Sequence, residues 1–221
     1  MLCRFTDRQS GFSEGEFAEF NLAGHVGDSF KNVSANRNLL EDQLGALQFM
    51  QQVHGDQIVI IENLLTQEPV ADALITATPG ISLAVLVADC IPLLLTSNEV
   101  VAAVHVGRRG LENEIARMVI KVMREMGAIE IVAHIGPSIC GQCYEVPKEL
   151  HDQIVASHPA ATCQTRKGTH SLDLVAALKV VLFSEEIDQI TDLNICTFES
   201  SNHFSYRRSG VTGRQAGLVR L

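Results

Sequence analysis

The chain has no tryptophan and only two tyrosines among its 221 residues. Its apolar mass is aliphatic: 46% of the residues are hydrophobic, enough for a sizeable core, and 5% are aromatic. No apolar stretch reaches the roughly 18 residues that a membrane-spanning helix requires, because Asp89 interrupts the longest candidate. The first residues, Met-Leu-Cys-Arg-Phe-Thr-Asp, hold charges at the fourth and seventh positions and no apolar segment. A secretory signal is therefore not expected, and a soluble cytoplasmic protein is. A basic excess is missing as well: 17 Lys and Arg against 26 Asp and Glu give a formal charge of −9, which argues against nucleic acid or an anionic membrane as partner. Neither Gly-x-Gly-x-x-Gly nor Gly-x4-Gly-Lys-Ser/Thr occurs, so nicotinamide dinucleotides and nucleoside triphosphates are poor cofactor candidates. No Pro/Gly/Ser-rich linker, repeat or low-complexity tract interrupts residues 1–221, and one domain is expected. What remains is a small-molecule substrate, with a monomer or a weak homodimer as the expected assembly.

The aliphatic residues fall in short runs. Residues 57–62, 82–88, 91–96, 100–105 and 129–135 are rich in Val, Ile and Leu and broken by Gly, Pro, Asn or Asp, which fits buried strands. Asp28 followed by Phe30, Val33, Leu40 and Leu44, with Gly45 behind, reads as a capped amphipathic helix. Apolar residues at 111, 115, 118, 119, 122, 123 and 126 read as a second helix starting after Gly110. A third runs through 172–182 with Ser171 as its cap, and a weaker one covers 147–156 with Pro147 in its first turn. Strands outnumber helices without regular alternation, so the expected class is α+β, a single domain of layered mixed β-sheets flanked by helices.

Six cysteines in a chain this long, with no signal, are expected as free thiols. Cys140 and Cys143 form a Cys-x-x-Cys, the spacing of a redox pair, of half a zinc site, or of a Gly-flanked turn; with no second pair, a four-cysteine zinc site is not expected. Cys90 differs from them in its company. His54 sits beside Gly55 before a strand-like run, Cys90 ends the run begun at Ile81, and His105 ends the run begun at Val100. Were those runs neighbouring strands, their ends would converge. Two imidazoles and one thiolate suit Zn²⁺ or a copper ion and leave a coordination position open, as catalytic sites do. Without a metal, the same trio makes Cys90 a nucleophile activated by histidine. Asp89 points to the other strand face from Cys90 and reads as a turn or supporting residue.

The C-terminal stretch holds Arg207, Arg208, Arg214 and Arg220 and no acid after Glu199. Arginine forks among Gly and hydroxyl residues suit a phosphate or carboxylate; a solvated tail pairing with surface acids is the alternative. Arg108 and Arg109 follow His105 closely enough to add to such a pocket.

Taken in order, Asn21 to Asp28, Asn36-Arg37, Gln52-Val-His54-Gly, Ala71-Asp-Ala-Leu-Ile-Thr76, Ala88-Asp-Cys90-Ile-Pro, Ala103-Val-His105, Gly136-Pro-Ser-Ile, Tyr144-Glu-Val, Ser171-Leu-Asp-Leu, Phe204-Ser-Tyr-Arg-Arg and Gly213-Arg-Gln-Ala resemble the YfiH-like family. Its members are called laccase-domain proteins, polyphenol oxidases, peptidoglycan editing factors or purine nucleoside phosphorylases. The resemblance implies an α/β/β/α layering and a metal site, zinc or else copper, at His54, Cys90 and His105. It also implies phosphorolysis of adenosine, inosine and methylthioadenosine, with adenosine deamination at the same site. Arg37, Arg109, Arg207, Arg208 and Arg214 are the expected phosphate and substrate contacts. A peptidoglycan-precursor amidase using Cys90 or the metal is one alternative; a non-enzymatic zinc or copper protein is another. The family's usual His-Ala-Gly-Trp-Arg-Gly is here His105-Val-Gly-Arg108-Arg109-Gly110, so Val106 and Arg108 bear on substrate preference. The eight histidines contain no His-x-His, which argues against a multicopper cluster, and the His-x-Glu with Pro-Cys-x-x-Cys of zinc cytidine-type deaminases is absent.

Overall fold

The computed structural model describes all 221 residues. In chain order the elements are β1 (Leu2–Phe5), α1 (Phe30–Leu44), β2 (Leu47–Gln48), β3 (Ile58–Ile60), β4 (Ala73–Thr76), β5 (Ser82–Val87), β6 (Ile91–Thr96) and β7 (Val101–Val106). There follow α2 (Arg108–Glu112), α3 (Ile115–Glu125), β8 (Val132–Ile135), α4 (Lys148–Ser157), β9 (Thr162–Gln164), β10 (His170–Leu172), α5 (Leu174–Ser184), β11 (Ile190–Asp192), α6 (Tyr206–Ser209) and β12 (Gln215–Arg220).

Two mixed sheets stack, one in the order β11-β8-β6-β7-β4-β3 and one in the order β1-β12-β5-β2, with β9 and β10 as a separate pair. The two-residue period of the strands sorts their side chains into layers. Ile75, Leu93, Ala102 and Val104 of the larger sheet pack against Val119 of α3 and Leu178 of α5. Its other face sends Leu74, Leu94 and Ala103 to Leu83, Val85 and Val219 of the smaller sheet. Ala84, Leu86 and Leu218 then turn outward onto Leu40 and Leu44 of α1. The result is helix, sheet, sheet, helix. Every residue of β5, β6 and β7 is buried, which is why these strands read as continuous rather than alternating apolar runs. Each fully buried Leu, Ile or Val side chain contributes about 1.5–3 kcal/mol of transfer free energy.

Several local expectations are corrected. The helix after residue 110 begins earlier, at Arg108, and breaks at Asn113-Glu114, where Glu114 adopts a left-handed φ of 59°. The apolar period runs through this break without a Gly or Pro, so nothing in the pattern marks it. Asp173, not Ser171, caps α5, accepting from the Ala176 amide at 2.9 Å; Ser171 lies in β10 with its hydroxyl buried and unpartnered. Asp28 does not cap α1, which starts after Ser29; its carboxylate accepts instead from Ser13, Asn21 and the Ser29 amide. Phe30 is 83% exposed rather than on the apolar face. Strands β1, β2, β4, β9, β10, β11 and β12 lie outside the expected set, and β12 is a central strand between β1 and β5. Its Gly217 fits there because a Cβ would meet Leu94, Phe5 and Pro92 at 3.2 Å. No helix is long and apolar enough to cross a membrane.

Candidate functional site

Cys90 occupies the short crossover by which the chain leaves β5 in one sheet and enters β6 in the other. Asp89, just before it, has a φ of 92°, a strained backbone for a non-glycine residue that the surroundings must hold. They do so with three hydrogen bonds. The Asp89 carboxylate accepts from Thr197 Oγ1 and from the Arg207 amide, each at 2.6 Å, and its carbonyl accepts from the Ile139 amide at 2.9 Å. The supporting role expected for Asp89 is what these bonds perform.

His105 lies near the end of β7, buried, opposite Pro92 of β6. Its amide donates to the Asp72 carbonyl at 2.8 Å, and its Nδ1 faces Asp72 Oδ1 at 2.8 Å. A carboxylate only accepts, so Nδ1 carries the proton and Nε2 is left to the cavity. The same fully buried carboxylate accepts from the amides of Val53, His54 and Gly55 at 3.2, 3.0 and 2.7 Å. Asp72 thereby fixes both histidines, one through its ring and one through its backbone. His54 is held at a φ of 59°, its ring edge-on to His105 with centroids 4.7 Å apart and its Nε2 3.9 Å from Cys90 Sγ. The ligand atoms of His54, Cys90 and His105 all lie within 4.8 Å of one another. Gly107 closes one side: a Cβ there would stand 3.0 Å from Cys90 Sγ and 3.4 Å from the His54 ring.

Burial opposes charge on all three buried partners, and their mutual contacts overcome it. The facing His105 and His54 imidazoles bring the Cys90 thiol down to about 6. His105 is raised to about 9 by the Cys90 thiolate and Asp72, and Asp72 is lowered by His105 and the amides of Gly55 and Val53. These directions favour a thiolate at Cys90 and an imidazolium at His105 when no cation is bound. A soft donor, two imidazole nitrogens and a carboxylate orienting one of them fit a zinc or copper ion.

The trio opens onto a cavity of about 380 Å³, whose walls include Gln52, His25, Leu86, Ile139, Tyr144, Tyr206, Arg207 and Arg214. Of the five expected arginine contacts, the structure brings two to this wall. Arg207 lies 5.0 Å over the Tyr144 ring and donates to the Glu145 carbonyl at 2.6 Å. Arg214 donates through Nη1 to the carbonyls of Thr212 and Gly213. The other three are placed elsewhere. Arg208 turns away and clamps the carbonyls of Thr197, Phe198, Ser200 and His203; Arg37 pairs with Glu68 and covers Phe49; Arg109 is exposed on α2 outside the cavity. Arg220 also serves structure, donating to the Leu44 carbonyl at the end of α1. Val106 is fully buried in the core. Arg108 pairs with Glu112 and lowers, by hydrogen bond and charge, a Tyr144 hydroxyl that burial raises.

Asp72, Tyr144, Gln52 and His25 are site residues that sequence reasoning did not single out. For Asp72 a signal existed, an acid placed directly before the apolar run Ala-Leu-Ile. Gln52 carries none: its amide exchanges two hydrogen bonds with the Leu86 backbone, at 2.7 and 2.8 Å, a pairing visible only in the fold.

The family model described as multi-copper polyphenol oxidoreductase laccase matches residues 2–221. A protein of Streptomyces coelicolor named purine nucleoside phosphorylase is 42% identical, over 98% of this chain and 94% of its own. One of the same name from Corynebacterium glutamicum is 40% identical, over 98% and 93%. Among solved structures, a Neisseria meningitidis protein superposes with a TM-score of 0.90 at 32% identity, covering 98% of this chain and 92% of its own. The YfiH protein of Bacillus licheniformis gives 0.90 at 29% identity, covering 99% and 92%. With its trio at the sheet crossover and similarity over nearly its whole length, the chain belongs to the YfiH-like, laccase-type family.

Proposed function

We propose that the chain is a metal-dependent purine nucleoside phosphorylase acting on adenosine, inosine and methylthioadenosine, and that it also deaminates adenosine at the same site. The observation that carries this reading is the open side of the trio: three ligands from the chain line a cavity that Arg207 and Arg214 line as well. Pockets of this size suit small ligands, and relatives similar over nearly their whole length are named purine nucleoside phosphorylase. A filled, closed binding site would need a fourth ligand, and the two neighbouring carboxylates are already occupied, Asp72 by His105 and three amides and Asp89 by Thr197 and the Arg207 amide.

In phosphorolysis a phosphate oxygen forms a bond to ribose C1′, the C1′–N9 bond breaks, and the purine leaves with the electron pair and takes up a proton. Arg207 and Arg214 would hold the phosphate: Arg214 uses only Nη1 on the chain, leaving Nη2 and Nε as donors to an anion. His25, lowered by burial and by Arg214, is shifted toward its neutral form and would offer the substrate a hydrogen-bonding nitrogen. Tyr144, steadied by Arg108 and Arg207, supplies the flat aromatic wall that the missing tryptophan does not. A cation held by His54, Cys90 and His105 would supply Lewis acidity toward a substrate oxygen. Asp72 keeps His105 Nε2 directed at that position.

Metal-loaded protein should release hypoxanthine from inosine only when phosphate is present, and Cys90→Ala should abolish the release. Pure, metal-loaded protein with no such release would overturn the proposal. The Cys90–His105 pair also has the makings of a thiolate amidase; cleavage of an amino acid from a nucleotide-linked muramyl precursor, with nucleosides untouched, would establish that reading instead.

A further inference from the structure

A second group of ligand atoms lies outside the cavity and takes no part in the chemistry above. The sulfurs of Cys140, Cys143 and Cys196 and a carboxylate oxygen of Glu199 all lie within 4.8 Å of one another. In sequence, Cys140 and Cys143 have the spacing of half a zinc site, among other readings, with no other half. The fold supplies it from the segment after β11. None of the three cysteines is in a disulfide.

The backbone is built around this meeting point. The amides of Cys143 and Tyr144 donate to the Cys140 carbonyl at 3.0 and 3.1 Å, making the tight turn that joins the two cysteines. The Cys140 amide donates to Cys196 Sγ at 3.4 Å, which ties the Cys-x-x-Cys turn to the segment after β11. Two further bonds tie the segments together, Ser138 amide to Ile195 carbonyl at 3.1 Å and Thr197 amide to Ser138 carbonyl at 3.0 Å. Arg166 pairs with Glu199 and, at 3.3 Å, with Gln142 in the same turn, an outer partner that orients the carboxylate.

We propose that Cys140, Cys143, Cys196 and Glu199 form a structural zinc site, distinct from the His54–Cys90–His105 centre. Ligands about 2.0–2.3 Å from a tetrahedral ion stand roughly 3.5–3.8 Å apart, within the observed 4.8 Å. Three soft donors and one carboxylate select zinc over calcium or magnesium. Burial pushes the Cys140 and Cys143 thiols up. On binding, each thiol gives its proton to water and zinc takes the vacated electron pair. The group borders a cleft shared with Cys163 and Asp173, an entry path for the ion.

The site has work to do where it stands. Ile139 and Tyr144, on either side of Cys140 and Cys143, line the active-site cavity. Thr197, next to Cys196, holds Asp89 beside Cys90. A zinc ion here would pin both cavity walls from behind.

Zinc content measured on protein purified under reducing conditions tests this without relying on turnover. Wild type should hold two equivalents. Cys140→Ser/Cys196→Ser should hold one, Cys90→Ser/His105→Ala should hold one, and Glu199→Ala should lose its second equivalent to a chelator sooner than wild type. Should the double variants fail to fold, alkylation mapping of wild type serves: Cys140, Cys143 and Cys196 should be protected together by zinc and become reactive together on chelation. A single equivalent that survives Cys140→Ser/Cys196→Ser, with the three thiols equally reactive with and without chelator, would overturn the proposal. So would a mass two hydrogens short, mapping to a disulfide among them.

Discussion

The chain sets cysteine in two opposite environments. At the crossover between the sheets, Cys90 faces two imidazoles and is brought down to about 6 despite its burial. In the turn after β8, Cys140 and Cys143 face other sulfurs, and burial together with those neighbours pushes them up. One environment makes a thiolate unaided; the other needs a cation to make one. The geometry divides the same way. Cys90 and its histidines leave one side open to a cavity, whereas the three sulfurs and Glu199 bring four donor atoms within 4.8 Å of one another. An open trio suits chemistry and a closed quartet suits structure.

The sharpest way to break this contrast is to exchange the consequences of mutation. Cys90→Ala should lower phosphorolysis by about a thousandfold or more, about 4 kcal/mol of transition-state stabilisation, whereas Cys140→Ser should leave turnover within about tenfold and lower the melting temperature by several degrees, about 2–4 °C per kcal/mol for a domain of this size. Steady-state kinetics beside thermal melts would decide it, and equal losses of activity would erase the distinction. Asp72→Asn comes next. It removes the charged acceptor that orients His105 and should weaken metal binding at the trio by about 10–100-fold, measured by competition with a chelator, while the second equivalent stays in place.

Metal-stripped protein gives a smaller but cleaner separation. Alkylation of Cys90 should rise as pH increases through about 6 and level off above it, because the thiolate is the reactive form. In His105→Ala the midpoint should move up toward the ordinary thiol value of about 8.5. An unchanged midpoint would mean that the imidazole does not set the Cys90 charge. Last, the two adjacent arginines should part company. Arg207→Ala should raise the KM for phosphate about tenfold with little change in melting temperature. Arg208→Ala leaves carbonyls of the 197–203 loop unpaired and should cost about 1–3 kcal/mol of stability, seen in denaturant melts, with the phosphate KM much less affected.

The layered α+β architecture and the trio were legible in the sequence for related physical reasons. Strands buried on both faces spell out long aliphatic runs, and a His or Cys placed where such a run begins or ends stands out against them. His54 lies just before one run, and Cys90 and His105 close two others. The arginines do not, because composition reports a local excess of charge but not its direction: Arg207 and Arg208 are neighbours on α6, yet one reaches the cavity and the other clamps a loop. Partners distant in the chain were equally hidden. Asp72 acts across 33 positions on His105, and Cys196 joins Cys140 across 56, so Cys-x-x-Cys read alone has no second half. The break at Glu114 and the strand β12 were illegible for the opposite reason, since each is imposed by packing against local composition.

If the trio performs phosphorolysis rather than hydrolysis or oxidation, phosphorus NMR of inosine, phosphate and metal-loaded protein will reveal it. A new phosphate-ester resonance should grow in step with hypoxanthine and be absent with Cys90→Ala. Hypoxanthine released without that ester, or an ester that forms equally well with Cys90→Ala, would contradict the account.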